Sequence, residues 1–239
     1  MLLHSTGQAA SGWDRVATVM RDRGAEVHAT DLPNDPTLHA QDFAAILVDA
    51  FGGIESPIVV AHSGAGPLLP AAATTLAARL QVWLAAWVPD GQLTFGEDVR
   101  AHLDHAFDPG WIGKDPITDD DAARQFLYHD ADDEALTWAL STRREFYPDG
   151  VYDERIALDR RIPSVYIGAS RDRTILPAWQ ETMARERLGV EPIMIDSGHC
   201  PNVSRPRELG LLLLHAAAGE ARSATAMRDA AEEGKELRP

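Results

Sequence analysis

The sequence predicts an α/β protein built on a doubly wound, mostly parallel sheet with a helical cap inserted into it. Three features carry that expectation. Short continuous apolar runs, such as PIVVAH at 57–62 and QVWLAAWV at 81–88, suit central parallel strands covered on both faces. Helical patterns alternate with these runs, as right-handed crossovers require. One long stretch, at about 91–161, breaks the rhythm and reads as the insertion.

In chain order, Ser11 is the expected N-cap of a first helix through Trp13, Val16, Val19 and Met20, and Gly24 stands where a left-handed C-terminal residue belongs. Residues 25–30 read as a short strand, followed by a turn whose two prolines, Pro33 and Pro36, stop regular structure. A helix resumes near Leu38, with Phe43, Ile46, Leu47 and Ala50 on one face, and stops at Gly52 and Gly53. The strand at 57–62 leads into an alanine-rich helix at 64–78, and the strand at 81–88 closes at Pro89. Beyond the insertion, a strand at 163–169, a helix at 177–188, a strand at 191–195 and a helix from about Arg205 complete the alternation.

The insertion is expected to hold two helices, at 119–129 and 133–146. Asp119, Asp120 and Asp121 open the first, where negative charge complements the helix dipole. Seven of its aromatic residues, Phe107, Trp111, Phe126, Tyr128, Trp138, Phe146 and Tyr147, either line a small-molecule pocket or form a small satellite core. The expected organisation is one domain over 1–218, cap included, and a polar, charged tail over 219–239.

Composition narrows the function. With 22 basic and 37 acidic side chains the formal charge is −15, which repels phosphate backbones and anionic lipid surfaces, so neither nucleic acid nor membrane is an expected partner. The apolar stretch from Leu209, LGLLLLHAAAG, is too short to span a bilayer and reads as a buried helix. Cys200 is the sole cysteine, which excludes an intramolecular disulfide and a multi-thiolate zinc site. No signal segment is evident at the start, and a reducing cytoplasm is the expected compartment. A small-molecule substrate is the expected partner, with association into a homo-oligomer left open. No dinucleotide fingerprint or phosphate-binding lysine loop occurs, so no cofactor is expected.

Chemistry concentrates at VVAHSGAGPLL, where Ser63 sits at a strand-to-helix junction. A serine on such a sharp turn stands above the sheet edge, and the N–H groups that open the helix face whatever reacts with it. The turn demands small neighbours. Ala61 and Ala65 stand where the G-x-S-x-G pattern has glycines, and Gly64 and Gly66 add room. A hydroxyl needs a base and a group that orients the base. His199, in the SGHCPN loop after the last strand, is the best-placed base among nine histidines, and Asp172, in the loop after the preceding strand, is the matching acid.

The order Ser63, Asp172, His199 is that of the α/β-hydrolase fold, and the chain resembles that superfamily over nearly its whole length. VYIGASRDRTILPAWQETMA and IDSGHCPNVSRPREL look like the acid and histidine segments of the branch containing plant methyl esterases, hydroxynitrile lyases and many bacterial esterase-like proteins. DDDAARQFLYHDADDEALTWAL is similar to the cap of bacterial members. The resemblance implies Ser63 as nucleophile, His199 as base and Asp172 as its orienter. It also implies an oxyanion hole from the backbone N–H groups of Thr6 and Gly64. A serine hydrolase acting on a small apolar ester is the function it implies.

Some residues depart from the pattern or compete with it. Ser5 stands where most such hydrolases have a glycine and hydroxynitrile lyases a threonine, which keeps a lyase or biosynthetic catalyst in view; Cys200 stands where those lyases need a lysine. A non-catalytic binding protein with the same pocket is the other alternative. The motif begins at His4, leaving almost no length for the preceding strand; either the first edge strands of the fold are lacking or the start is assigned too late, the second being favoured since a bare sheet edge invites association. Asp90 is a rival for the orienting acid, whereas His62 and Asp196 read as structural. His102, Asp104, His105 and Asp108 read as exposed cap surface, because no third ligand of defined spacing follows the two histidines.

Overall fold

The computed structural model describes residues 1–219, so the tail expected at 219–239 lies, from residue 220 on, outside the described residues. Five strands form one parallel sheet in the order β1 to β5: β1 (Leu2–Leu3), β2 (Ile58–His62), β3 (Leu80–Leu84), β4 (Ser164–Ala169) and β5 (Ile193–Ile195). Register aligns Ala61 with Trp83 and Trp83 with Tyr166.

Strand side chains alternate between two apolar layers, as a period of two demands. On one face Val59, Ala61, Trp83 and Tyr166 pack with Phe43 and Leu47 of α2 (Ala40–Phe51), Leu69 of α3 (Leu69–Thr75) and Met183. On the other, Val60, Val82, Leu84, Val165 and Ile167 pack with Val16 of α1 (Asp14–Arg21) and with Leu209 and Leu212 of α10 (Pro206–Ala217). Covering both faces explains why the central strands read as continuous apolar runs rather than alternating ones, with Gln81 and His62 as buried polar members.

The cap at 91–161 carries α4 (Phe95–Ala106), α5 (Asp120–Ala122), α6 (Asp133–Ser141) and α7 (Asp149–Tyr152). A π turn, Ala123–Leu127, continues α5, and α8 (Pro177–Thr182) runs likewise into Met183–Leu188. A short α9 (Pro201–Ser204) precedes α10. The N-terminal charges expected on the first cap helix act through Asp119, whose carboxylate accepts from the N–H groups of Asp121 and Ala122.

Several sequence expectations are corrected. The first helix opens with a 3-10 turn, Ala10–Trp13, and no side chain caps it; the Ala10 N–H instead donates to Asp31 Oδ1 at 2.7 Å, so Ser11 is not the cap. Residues 25–30 form no strand, although the Leu2 N–H donates to the His28 carbonyl at 2.9 Å and holds that segment beside β1. The strand at 81–88 stops at Leu84 because Ala85 turns to φ 41°. The helix α4, missed in sequence, is held by a capping box in which Thr94 accepts from Glu97 N–H and the Glu97 carboxylate accepts from Thr94 N–H. Gly24 does adopt the left-handed conformation, at φ 81°. Among the described residues no helix is long and apolar enough to cross a membrane.

α4 is pinned to the core by a buried ion pair. Asp98, 1% exposed, accepts from Arg187 Nη1 at 2.5 Å and Nη2 at 2.9 Å, and from Trp87 Nε1 at 2.8 Å. The Arg187 guanidinium lies 5.7 Å from the Trp87 ring and 5.4 Å from the Trp179 ring. Burial of a charge is tolerated here because both carboxylate oxygens have donors.

Candidate active site

Ser63 follows β2 directly and adopts φ 55°, a left-handed conformation that costs strain in a residue bearing a Cβ. The turn persists because its surroundings overdetermine it. The Trp87 N–H donates to the Ser63 carbonyl at 3.2 Å. A Cβ on Gly66 would run into the Trp87 carbonyl, so only glycine fits there. Ala61 and Ala65, both fully buried, supply the small neighbours expected on either side.

The three residues singled out from sequence meet. His199 Nε2 lies 2.7 Å from Ser63 Oγ, and His199 Nδ1 lies 2.7 Å from Asp172 Oδ2. Nδ1–H therefore donates to the carboxylate, leaving the Nε2 lone pair for the serine hydroxyl. Asp172 is held in turn. Its Oδ1 accepts from the Thr174 N–H at 2.7 Å and the Thr174 hydroxyl at 2.9 Å, and its Oδ2 accepts from Gln180 Nε2 at 2.8 Å. Thr174 Oγ1 also lies 2.8 Å from His199 Nδ1. Thr174 and Gln180 went unnoticed in sequence, although the Asp-x-Thr spacing is that of a carboxylate capping its own turn.

His62 lies behind His199, and its role is more specific than the structural one expected. Its Nε2–H donates to the His199 carbonyl at 2.9 Å, with the two rings 5.1 Å apart. Burial, then the neighbouring His199, lowers the His62 pKa to about 3, so the ring is neutral. The rival acid Asp90 is elsewhere, its Oδ1 accepting from the N–H groups of Gln92 and Leu93. Asp196 pairs with Arg171 at 2.8 Å. Cys200 is buried, and burial raises its thiol pKa well above the ordinary value.

Across from the serine, the turn at His4, Ser5 and Thr6 is fixed by His4. Its Nε2 accepts from the Leu32 N–H at 2.9 Å and its Nδ1–H donates to the Ser5 carbonyl at 3.1 Å. Burial lowers the His4 pKa to about 4. Ser5 Oγ donates to the Thr6 carbonyl at 3.1 Å. Gly64 is the second residue of a 3-10 turn, Ser63–Leu68, whose first amides have no partner within the turn. The Thr6 side chain packs on Gly64, since an added Cβ there would lie 2.7 Å from Thr6 Cγ2 and 2.6 Å from the Tyr152 hydroxyl. Tyr152 donates to the Gly64 carbonyl at 2.8 Å.

These groups open onto a cavity of about 230 Å³. Of the cap aromatics named from sequence, Phe107, Trp111 and Tyr147 line it, joined by Phe95 and Tyr152, which sequence reading passed over. Tyr128 and Trp138 belong to a satellite core with Leu136 and Val203. Both expectations for the cap aromatics thus hold, and Trp111 meets both, since it also packs against the satellite core. An apolar cavity with a polar cluster at one end suits a small organic molecule.

A family profile described as "Alpha/beta hydrolase family" matches residues 1–209. Solved structures of similar fold include polyneuridine aldehyde esterase, with TM-score 0.77, 16% identity, and coverage of 90% of this chain and 98% of that one. A methylesterase from Arabidopsis gives TM-score 0.71 at 18% identity, covering 91% and 98%. A pyrethroid hydrolase gives TM-score 0.73 at 18% identity, covering 93% and 98%. Among curated proteins none matches.

Proposed function

This chain belongs to the alpha/beta hydrolase family, and we propose that it is a serine hydrolase that cleaves a small apolar ester or related acyl compound. The unbroken hydrogen-bond chain from Asp172 through His199 to Ser63, ending in an apolar cavity, carries the reading. His199 Nε2 takes the Ser63 proton as Oγ attacks the acyl carbon, and Asp172 stabilises the imidazolium that forms. The N–H groups of Gly64 and Thr6 receive the oxyanion, a preorganised pair in which each donor is worth about 3 to 4 kcal/mol of barrier. His199 then returns the proton to the leaving alcohol, and water, activated by the same imidazole, releases the acid. The mechanism calls on no cofactor.

A p-nitrophenyl ester series compared between wild type and Ser63→Ala tests the proposal, with fluorophosphonate labelling as the second readout. Turnover and labelling that both vanish in the variant support it. Equal rates in the two proteins remove it, and a wild-type protein that resists labelling while still binding ligand is a binding protein instead.

A further inference from the structure

Residues 107–119 cross the cavity as a strap tied at both ends. On the His199 side, Phe107 forms a β-bridge with Ile175 and the Asp108 N–H donates to the Thr174 carbonyl at 3.0 Å. On the Thr6 side, Ile117 packs on Gly7, where an added Cβ would lie 3.2 Å from Ile117 Cγ1, and the Pro116 carbonyl accepts from Arg143 Nη1 at 2.8 Å. Between the ties, bonds from Trp111 N–H to the Asp108 carbonyl and from Lys114 N–H to the Trp111 carbonyl fold the strap, and Trp111 and Lys114 both line the cavity.

Among the described residues, Lys114 is the one formally charged side chain in that lining, which contains no aspartate, glutamate or arginine. It is exposed whereas His199 is buried, so the cation marks the outer end of the cavity and the nucleophile the inner end. The placement opposes the field of the whole chain, whose formal charge is −15. Nor is it a simple answer to the neighbouring acid: the Asp115 carboxylate already accepts from the Ile117 N–H at 3.0 Å and the Thr118 hydroxyl at 2.5 Å. Asp115, Glu145 and Asp149 surround Tyr147, adding to the effect of burial in raising its hydroxyl pKa. Asp115, Glu145 and Asp149 thus make the Tyr147 side of this mouth unfavourable to an anion, and Lys114 is a cation that lines the cavity itself. A flexible ammonium suits a point contact with an oxyanion that itself retains some water.

We propose that Lys114 determines specificity: the substrate has an apolar, aromatic body lying against Trp87, Phe107 and Trp111, and a carboxylate at its outer end held by the Lys114 ammonium. The inference deepens the proposed function, resting on the Ser63 cavity as the substrate site. An anionic ester of this kind enters with the acyl bond toward Ser63 and its charge toward the mouth.

Two probes of matched shape, 3-phenylpropionate and 3-phenylpropionamide, decide it through tryptophan fluorescence, since Trp87 and Trp111 line the cavity. Wild type is expected to bind the carboxylate about fivefold more tightly than the amide, the scale of one charge-assisted contact at a partly exposed site. K114R retains that preference, K114Q removes it without changing amide affinity, and raised salt weakens it. A carboxylate preference that survives K114Q belongs to the oxyanion hole and overturns the proposal, as does a wild type that favours the amide or binds neither probe. Kinetically, K114Q should raise KM for p-nitrophenyl hydrogen glutarate and leave p-nitrophenyl pentanoate unchanged. If neither ester is cleaved, the hydrolase reading fails while the binding comparison still decides the role of Lys114.

Discussion

The two walls of the cavity are held by different forces. The sheet-edge wall is a closed hydrogen-bond network: Asp172 accepts from His199, Thr174 and Gln180, and His62 donates to the His199 carbonyl, all of them buried. The cap wall is made of ring contacts, such as Trp87 on Phe107 at 5.5 Å and Phe95 on Tyr152 at 4.1 Å, and is tied down at a distance by the Asp98–Arg187 pair. Directional bonds fix the reacting atoms to fractions of an ångström, which proton transfer requires. Ring packing fixes only volume and shape, which is what substrate choice requires. Chemistry and specificity are thus separable by mutation.

Asp172→Asn is the largest test of the separation. It keeps the shape of the acid but donates where it should accept, so kcat for ester cleavage should fall on the order of 10⁴-fold, and the buried amide facing the Thr174 and Gln180 donors should also lower the melting temperature. A loss below tenfold would transfer the orienting role to another group. Asp98→Ala strikes the opposite wall. Leaving Arg187 buried without its partner should cost about 3–5 kcal/mol of stability in denaturant unfolding, while fluorophosphonate still labels Ser63 below the transition. Retained stability would show that α4 is anchored by its rings alone.

Gly64→Ala probes the seam between the walls. The added methyl meets Thr6 and Tyr152 and should displace the proposed oxyanion donors, lowering kcat about 10²- to 10³-fold. Unchanged kcat would place the oxyanion elsewhere. The smallest effect concerns pH. His62 and His4 have folded pKa values of about 3 and about 4, against an ordinary 6.5. Above pH 6.5 both are neutral in either state and have no effect. As pH falls below it the unfolded chain binds protons that the folded chain refuses, so stability declines, by about 1.4 kcal/mol per pH unit for each histidine. His62→Gln, which keeps a donor for the His199 carbonyl, should shallow that slope measurably in melts from pH 7 to 4. An unaltered slope would remove His62 from the acid response.

The sequence by itself determined the alternation of strands and helices and singled out Ser63, Asp172 and His199, whose side chains meet in the structure, because apolar runs and a strand-to-helix serine are local patterns. It also located the cap, as the place where those patterns lapse. Tertiary structure alone decided what the patterns could not hold. Residues 25–30 have strand-like composition yet make no ladder, since pairing depends on a neighbour rather than on propensity. Phe95 and Tyr152 reach the cavity, while Tyr128 and Trp138 turn into a satellite core, from sequence contexts that look alike. Thr174 reaches the His199 ring, Gln180 its partner Asp172 and His62 the His199 carbonyl, and the position of Lys114 over the cavity follows from a strap tied at Thr174 and Gly7. Local propensity is written in neighbouring residues, whereas contacts between distant segments exist only after the chain has closed on itself.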